Sequence, residues 1–485
     1  MQDMESGQNA VLYEAVASDI TSLIESGTLG AGARVPSVRR MSRQRRVSVS
    51  TVVQAYRVLE DRGLIEARPQ SGYYVRARHQ PLREPALSAP PRAPQLVGVH
   101  ALVSRVLDAA EDPDVVLLGT ALPQPELVPT ARLRRLLNDA ARRWPDAIST
   151  YGLPPGREEL RKQIAARSFD SGARLAPDEI IVTNGCVEAV NLCLRAVAQP
   201  GEVIALESPT YFGLLQIIES LGMKALEIPT SPRGGISLEA LELAIERQRV
   251  KACLLMPSVS NPLGSTMSDA AKVRLVKMLD ARGVPLIEDA VYSTLHFGPS
   301  PPRAAKAYDR TGNVLLCSSF TKTLAPGFRV GWVAPGRYYE QTRMLKFISS
   351  VGVSDLLQVA IAAFLENGGY DRLLRRLRKT YQAQVALFSA AVGRYFPAGT
   401  KVTRPTGGYV LWVEMPPAVD ALALYELAMA ERISLAPGAM FSASDRYRHC
   451  IRLNCGIPWS AHTEALLERV GALATQCMAA KTGSR

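Results

Sequence analysis

Residues 318–332 read Ser318-Ser319-Phe320-Thr321-Lys322-Thr323-Leu324-Ala325-Pro326-Gly327-Phe328-Arg329-Val330-Gly331-Trp332. Hydroxyl residues flank Lys322, and Arg329 follows seven positions later. Most lysines lie in solvent, but a lysine in this setting suits an amine that forms a Schiff base with an aldehyde carrying a phosphate group. Ser319, Thr321 and Arg329 would donate hydrogen bonds to that phosphate, the arginine as a two-pronged donor.

Outward from this stretch, short apolar strands alternate with helical patterns from about residue 99 onward. Five such strands lie at residues 179–183, 203–206, 252–256, 285–288 and 314–317. Strands that are apolar throughout and separated by helices indicate a mainly parallel sheet covered on both faces. We therefore expect an α/β domain in this part of the chain.

Two strand ends carry residues suited to a phosphate-bearing pyridine ring. A strand ending near Val182 runs through a glycine turn into a helix, so Gly185, Cys186 and Val187 offer free amides to an anion. Asp289 follows another apolar strand, at the sheet edge where such folds bind ligands. A carboxylate in that position would keep a pyridine nitrogen protonated, so that the ring withdraws electrons.

Three further residues complete the predicted site. Tyr292 and Asn261 can donate to a phenolic oxygen, and Tyr211 offers an aromatic face for stacking on the ring. Taken singly, Asp289 could be a helix cap, Asn261 part of a plain turn and Tyr211 a core residue. Together with Lys322 they form one coherent site.

Over roughly residues 114 to 475 the chain resembles fold-type I pyridoxal-phosphate enzymes of the class I aminotransferase group. The motifs that match are Tyr151-Gly152, Pro155-Gly156, Leu160-Arg161, Gly407-Gly408-Tyr409-Val410-Leu411-Trp412 and Cys450-Ile451-Arg452-Leu453-Asn454. The resemblance implies pyridoxal 5'-phosphate as cofactor and a smaller C-terminal α+β subdomain at about residues 355–480. It also implies that Tyr151 reaches the phosphate of a neighbouring subunit and that Arg452 binds a substrate α-carboxylate.

The segment Leu118-Gly119-Thr120-Ala121-Leu122-Pro123 departs from the family pattern of glycine, one residue, then proline. The resemblance therefore does not indicate which backbone amide meets the substrate carboxylate. The sequence also offers no second arginine that we could assign to a side-chain carboxylate.

Residues 9–78 have a different character, with short helical patterns that end in a Gly-Tyr-Tyr-Val strand. Between Gly30 and Arg78 there are eleven arginines and three carboxylates, whereas the whole chain has a net charge of +12. Such a local concentration favours a polyanionic partner. Pro36-Ser37 opens a short second helix, Ser48 caps a third, and a hairpin spans residues 64–75; Gly27 and Gly63 are the expected helix stops.

This order of elements predicts a winged helix-turn-helix, whose third helix enters the major groove of double-stranded DNA. Ser50, Thr51 and Gln54 would lie near base edges, on the face opposite the buried stripe. Arginines would fix the register on phosphates, the alternative being a solvated arginine-rich face. The residues predicted to contact DNA are Arg34, Ser37, Arg39, Ser48, Ser50, Thr51, Gln54, Arg57, Arg68 and Gly72.

The zone resembles the GntR family of bacterial regulators over its whole length, in motifs such as Arg34-Val35-Pro36-Ser37, Ala55-Tyr56 and Gly63-Leu64-Ile65. Fused to an aminotransferase-like domain at residues 99–480 by a proline-rich linker at 79–98, it is similar to the MocR subfamily. That resemblance implies a homodimer that regulates transcription. Its operator affinity would respond to pyridoxal phosphate at Lys322, or to an amino-acid-like effector joined to the cofactor as an aldimine.

Two other functions remain open on the sequence alone. The protein could be a working aminotransferase with a secondary DNA-binding role, because every family residue needed for transamination is present. A DNA-binding protein with a dead scaffold domain is disfavoured by the intact site.

The composition indicates the cellular compartment in which the protein works. Seven cysteines are dispersed without paired spacing, which indicates reduced thiols rather than disulfides or a zinc site, and we predict no metal centre. No apolar run reaches the roughly 18 residues that span a bilayer, and the first ten residues lack the pattern of an export signal. We expect a cytoplasmic protein with no membrane partner.

Overall fold

The structure is a computed structural model that describes residues 2–25, 28–29, 32–61, 64–68, 71–75, 82–109, 111–123, 125–444 and 446–482. The chain divides into two compact units, Met1–Pro81 and Leu82–Arg485. Gly27 and Gly63, the expected helix stops, lie outside the described residues, as do Pro69 and Gln70 of the expected hairpin loop. In the described part of the chain, no helix combines the length and apolarity needed to cross a bilayer.

The first unit contains three helices and a hairpin. Its elements are α1 Gln2–Glu25, α2 Val38–Arg45, α3 Val49–Asp61, β1 Ile65–Arg68 and β2 Gly72–Val75. The predicted stripe of α3 is buried, with Val52, Ala55, Tyr56 and Leu59 each fully inaccessible. The two strands pair antiparallel along their whole length, with Ile65 opposite Val75, which gives the predicted hairpin.

The starts of α2 and α3 follow from two serines. The Ser37 hydroxyl accepts a hydrogen bond from the Arg40 amide at 3.3 Å, and the Ser48 hydroxyl accepts one from the Thr51 amide at 3.1 Å. Each serine thereby satisfies an amide that the first helical turn leaves free. The Tyr56 hydroxyl ties the two helices together by donating to the Pro36 carbonyl at 2.6 Å.

The second unit contains the remaining helices and strands. Its helices are α4 His100–Asp108, α5 Thr130–Arg143, α6 Glu158–Ser168, α7 Gly185–Val197, α8 Phe212–Ser220, α9 Leu238–Gln248, α10 Asp269–Ala281, α11 Tyr339–Ser350, α12 Asp355–Glu366, α13 Gly369–Tyr395, α14 Ala421–Ala430 and α15 Ala461–Thr482. Its strands are β3 Gln95–Leu96, β4 Val116–Leu117, β5 Ile181–Thr183, β6 Val203–Ser208, β7 Lys224–Ser231, β8 Gly235–Ile236, β9 Val250–Leu255, β10 Leu286–Asp289, β11 Val314–Ser319, β12 Gly331–Ala334, β13 Lys401–Val402, β14 Val410–Glu414, β15 Ile433–Ser434, β16 Ala436–Pro437 and β17 Cys450–Asn454.

A nine-stranded sheet organises this unit, in the order β3-β7-β6-β9-β10-β11-β12-β5 with β8 beside β7. Strands β7, β6, β9, β10 and β11 run parallel, while β12 is antiparallel to both of its neighbours. Alternate residues face opposite sides, so Ile287 packs in the cluster with α7 and α8 and Leu286 in the cluster with α9 and α10. The prediction of a mainly parallel, doubly covered sheet is confirmed.

A second, four-stranded sheet, β13-β14-β17-β16, forms the smaller subdomain with the long helix α13 and helices α14 and α15. Its strands pair antiparallel, and β14 and β17 bring Trp412 opposite Arg452. Trp412 and Arg452 are both buried, so the Arg452 guanidinium lies in the interior of the unit.

From Leu82 onward, the segment predicted as a linker packs on the second unit. Pro85 is buried, and the Ser88 amide donates to the Thr230 carbonyl at 3.2 Å. Residues Gln95–Leu96 add a strand to the main sheet next to β7. Proline removes amide donors but leaves carbonyls and side chains available, so this stretch docks as a strap instead of running free as a spacer.

Candidate functional site

A pocket of about 100 Å³ lies at the carboxyl ends of β10 and β11, beside the start of α7. Ten of the residues predicted from the sequence line it together: Cys186, Val187, Tyr211, Asn261, Asp289, Tyr292, Ser319, Thr321, Lys322 and Arg329. They come from separate parts of the chain and meet because parallel strands end at one edge of the sheet.

Lys322 lies on the turn that follows β11, with its amine inside the pocket. The ammonium group donates to the Ala121 carbonyl at 2.8 Å. Burial, reinforced by the nearby positive charges of Arg452 and Arg329, lowers the pKa of Lys322 to about 8. Near neutral pH this amine is therefore neutral far more often than an ordinary lysine, although the protonated form still predominates, and the neutral form is the one that attacks an aldehyde.

An anion cradle opens where β5 runs into α7. Gly185 begins the helix with φ at +82°, a backbone conformation that is unfavourable for residues with a side chain. A Cβ at Gly185 would lie 2.6 Å from a guanidinium nitrogen of Arg329, so glycine alone leaves room for that guanidinium beside the helix. The amides at the start of α7 and the Arg329 side chain thus converge on one position suited to a phosphate.

Asp289 ends β10 and is almost fully buried. Its carboxylate accepts hydrogen bonds from the Val291 amide at 3.0 Å and from the Cys186 thiol at 3.3 Å. Burial raises the pKa of Asp289, while these two donors act against that rise. The thiol of Cys186 positions the carboxylate, a role that the sequence analysis did not assign to it.

Arg452 is almost fully buried, with only 1% of its surface exposed. Its guanidinium donates to the Asn261 side-chain oxygen at 3.0 Å and to the Gly119 carbonyl at 2.7 Å. The rings of Phe212 and Phe441 lie 5.6 and 5.0 Å from its central carbon. Burial lowers the pKa of this arginine, because two neutral acceptors do not replace the water that a cation loses.

Three polar atoms of the site are buried and have no hydrogen-bond partner in the part of the chain that the structure describes. They are the Tyr292 hydroxyl, the Thr321 hydroxyl and the Nε of Arg452. Orphaned buried donors are costly, so their clustering indicates a ligand that carries oxygen acceptors. A ring with a phenolic oxygen, a phosphate and a carboxylate would satisfy such a set.

Tyr211 lies directly before α8, half-buried, with its ring in the pocket. A Cβ at Gly213 would come within 2.6 Å of that ring, so Gly213 makes space for it. The two rings of Tyr211 and Phe212 are 4.7 Å apart and tilted. Sequence reasoning found the tyrosine but missed Gly213 and Phe212.

The segment 118–123, where the family pattern is broken, presents carbonyls to the pocket. The Gly119 carbonyl accepts from Arg452 and the Ala121 carbonyl from Lys322, while the Gly119 amide donates to the Ser434 carbonyl at 2.9 Å. A Cβ at Gly119 would lie 2.2 Å from the Ala436 backbone, so the close approach requires glycine.

Tyr151 is not among the residues that line the pocket within its own chain. It is 83% exposed, on a loop with Ile148 and Leu153 at 71% and 55%. The loop contacts the segment after α11, where a Cβ at Gly352 would overlap the Gly152 carbonyl oxygen. The outer face of α11 exposes Met344, Phe347 and Ile348; the two segments thus form one apolar surface, which we call the Tyr151 face.

In the first unit, α3 presents Ser50, Gln54 and Arg57 to solvent. Arg34 and Arg39 are exposed as well, and a Cβ at Gly72 would lie 3.4 Å from the Arg34 guanidinium. Most of the predicted DNA-contacting residues are thus available to a partner.

The prediction that Thr51 lies on the solvent-exposed face of α3 is wrong. Thr51 is 6% exposed, and its hydroxyl lies 2.7 Å from that of Ser48. The third position of a capped helix turns back towards the capping residue, which removes Thr51 from the surface. Arg68 is exposed, but its guanidinium already has partners within the first unit. It donates two hydrogen bonds to the Glu66 carboxylate at 3.0 Å and stacks 4.5 Å from the centre of the Tyr74 ring.

One group of side chains in the described residues has the composition of a metal site. Glu414, His449 and Cys450 bring ligand atoms within 4.8 Å of one another. The Lys401 ammonium group already pairs with the Glu414 carboxylate at 2.5 Å. We assign no metal to this cluster.

Two family models match the chain. That of the bacterial regulatory proteins of the gntR family covers residues 12–75, and that of aminotransferase class I and II covers residues 126–470. The HTH-type transcriptional regulators YjiR and YdcR of Escherichia coli, both described as uncharacterized, are 39% and 40% identical. Each match covers 95% of this chain and 98% of the relative. The chain belongs to the MocR subfamily of GntR regulators.

Solved structures resemble the aminotransferase part of this MocR chain. LysN, the α-aminoadipate aminotransferase of Thermus thermophilus, superimposes with a TM-score of 0.72 at 25% identity. The match covers 78% of this chain and 95% of LysN, whose crystal contains N-(5'-phosphopyridoxyl)-L-leucine. The resemblance to MocR proteins and the fold-type I aminotransferase fold expected from the sequence are confirmed.

Proposed function

We propose that this protein is a transcriptional regulator whose affinity for operator DNA responds to pyridoxal 5'-phosphate and to an amino-acid-like effector at Lys322. One observation carries the proposal: a chain whose arginine-rich first unit exposes the polar face of α3 also holds a partly buried lysine of lowered pKa among orphaned donors. A binding module for DNA and a binding pocket for a small molecule in one chain suit a ligand-controlled regulator.

The residues of the pocket fit the cofactor. When bound, pyridoxal phosphate supplies an aldehyde carbon for the Lys322 amine and a ring that withdraws electrons. The amides at the start of α7, together with Ser319, Thr321 and Arg329, would hold the phosphate. The Asp289 carboxylate would accept a hydrogen bond from the protonated ring nitrogen. Tyr292 and Asn261 would donate to the phenolic oxygen, and Tyr211 would stack on the ring.

The effector would carry a carboxylate that binds Arg452. That guanidinium is buried, bonded to neutral acceptors and left with an Nε that has no partner among the described residues, so an anion would restore the charge balance that burial removes. The aromatic rings of Phe212 and Phe441 beside it favour an effector whose remaining body is not highly charged.

We infer that the regulator acts as a homodimer. The Tyr151 face exposes Ile148, Tyr151, Leu153, Met344, Phe347 and Ile348, six large apolar residues on two contacting segments. Contiguous apolar surface of this kind favours burial against another chain, and Tyr151 would then reach the partner's phosphate cradle. Sedimentation of the Phe347→Glu variant as a monomer, against a dimeric parent, tests the assignment.

Operator binding with and without the cofactor tests the regulatory proposal. The fragment is DNA flanking the protein's own gene, and fluorescence anisotropy gives the dissociation constant. We expect pyridoxal phosphate, alone or with one amino acid of a panel, to change that constant several-fold in the parent and not in the Lys322→Ala variant. Equal responses of both proteins would contradict the proposal.

A second candidate is a pyridoxal-phosphate-dependent aminotransferase with a secondary DNA-binding role. It is favoured by the position of Arg452 next to the Lys322 pocket, because both cations donate to the segment 119–121. Steady-state transamination with a panel of amino acids and keto acids distinguishes the two. Efficient turnover of one pair without any effect on DNA affinity would favour the enzyme.

A further inference from the structure

A second, larger cavity of about 360 Å³ lies on the other side of the sheet from the Lys322 pocket. Leu316, Ser318 and Trp332 line it, whereas Asp289 and Cys317 face α7. Successive residues of a strand point to opposite faces, so the sheet separates the two spaces. The end of α6 and the first turns of α13 close the cavity from outside.

The deep wall of the cavity is apolar. Ala290, Ala304 and Leu316 form a buried cluster there, and Phe320 and Leu374 continue it. A space of this volume with an apolar wall is in the range that binds small organic molecules.

The mouth of the cavity carries three arginines from two helices, Arg167, Arg375 and Arg378, and two carboxylates, Asp170 and Asp371. Arg167 pairs with Asp371 at 2.7 Å, which neutralises both. Arg375 makes no hydrogen bond or ion pair with any described residue. Within the same described part of the chain, the Arg378 guanidinium donates only from Nε, to the Thr294 carbonyl at 2.8 Å.

The electrostatic balance of the mouth therefore leaves donors available. Burial lowers the pKa of Arg378, the nearby carboxylates of Asp371 and Asp170 act against that fall, and neither forms an ion pair with Arg378 in the described part of the chain. Glu288, the carboxylate in the wall, is turned to the amides of Ala305 and Lys306 at 2.9 Å, and burial raises its pKa. It does not compete for Arg375 or Arg378.

We propose that this cavity is a second ligand site, which binds a small carboxylate with an apolar body, such as an arylacetate. The body would pack on Ala290, Leu316 and Phe320, and the carboxylate would accept hydrogen bonds from Arg375 and Arg378. This site goes beyond the proposed regulatory pocket and does not depend on the cofactor.

The cavity wall is continuous with the turn that carries Lys322. The Tyr370 hydroxyl lies 2.8 Å from the Thr323 hydroxyl, and the Tyr370 and Phe320 rings meet edge to face with centres 6.0 Å apart. Ser319 lines both spaces. A ligand in the cavity would contact Phe320 and Tyr370, which pack on the turn that carries Lys322, so the second site is placed to influence the first.

Calorimetric titration of the full chain, saturated with pyridoxal phosphate, tests the site with phenylacetate as probe and phenylacetamide as its neutral match. We expect saturable binding of phenylacetate, and affinity about tenfold weaker for the amide, as for the loss of one charge-assisted pair. Arg375→Gln with Arg378→Gln should weaken phenylacetate by a similar factor. Ser318→Leu, which fills the cavity from the sheet, should abolish binding.

Two control variants separate this site from others. Arg372→Gln removes one positive charge from the same helix outside the cavity and should leave affinity unchanged. Arg452→Ala should retain binding, because Arg452 does not line the cavity and donates instead to Asn261 of the Lys322 pocket. Loss of binding in Arg452→Ala with parental affinity in the Arg375/Arg378 double variant would overturn the proposal. So would equal affinity for phenylacetamide, or no saturable binding of phenylacetate at millimolar concentration.

Discussion

The Lys322 ammonium group donates a 2.8 Å hydrogen bond to the backbone carbonyl of Ala121. Two residues earlier, the Gly119 carbonyl accepts from Arg452 at 2.7 Å. One short segment therefore holds Lys322 and Arg452 through neutral acceptors. A phosphate-bearing aldehyde and a carboxylate would replace these contacts with stronger ones, so the segment 119–121 is the part of the pocket that ligand binding must release.

Replacing Lys322 by alanine should abolish covalent attachment of pyridoxal phosphate, because no other amine lines the pocket in the described residues. Mass spectrometry after borohydride reduction measures the adduct. Lys251→Ala is the matched control, since this lysine is half exposed and pairs with Glu202 on the surface. An adduct of parental yield in Lys322→Ala would show that another lysine forms the bond.

The rate of cofactor capture should rise with pH and level off above about pH 8, the lowered pKa of Lys322. The attacking species is the neutral amine, whose fraction grows as pH rises through the pKa and then stays constant. A lysine with the ordinary value of 10.5 would keep accelerating well beyond pH 9. Stopped-flow absorbance of cofactor binding to the cofactor-free protein gives the profile.

Arg452 sets part of that pKa, so Arg452→Leu should shift the same profile to higher pH. Removing a nearby positive charge makes the protonated amine less costly. In the same variant, the affinity for amino-acid effectors should fall about tenfold or more, as expected for a lost charge-assisted pair. Arg105→Leu, which breaks a surface pair with Glu426, is the control for general charge effects and should change neither property. An unshifted profile in Arg452→Leu would mean that burial and Arg329, without Arg452, lower the Lys322 pKa.

Much of the site could be predicted because its residues occur where strands end. Asp289 and Lys322 follow apolar strands, and a parallel sheet brings such ends to one edge whatever the intervening loops do. The contact between Lys322 and the Ala121 carbonyl could not be predicted, because a backbone carbonyl has no signature in the sequence and the two residues are 201 positions apart. The Thr51 error has a local cause: a polar residue at the third helix position suits a capping interaction as well as an open face.

Arg57→Ala should weaken operator binding about tenfold and reduce its salt dependence by roughly one counterion, if this exposed arginine contacts a phosphate. Gln54→Ala should instead relax sequence preference, with about 1–3 kcal/mol lost for the cognate base only. Anisotropy titrations at several salt concentrations, on cognate and scrambled DNA, separate the two effects.

Buried Thr51 gives the contrast to these surface positions. Thr51→Val removes a hydroxyl that lies 2.7 Å from Ser48 and should lower the thermal stability of the first unit. At temperatures where the unit stays folded, DNA affinity should be close to parental. A sequence-specific loss of affinity in folded Thr51→Val protein would place the residue at the bases after all.

Ser88 connects the strap to the cofactor pocket. Its hydroxyl accepts from the Thr230 amide at 2.8 Å, and the Thr230 hydroxyl accepts from the Ser208 amide at 3.1 Å, three residues before Tyr211. Ser88→Ala removes one link of this chain, at a cost of about 1 kcal/mol. We expect unchanged cofactor affinity but a smaller change of operator affinity on adding cofactor, because the strap follows directly on the first unit. Ser349→Ala, which loses only a surface bond to Arg195, is the matched control, and equal responses of both variants would exclude the strap from transmission.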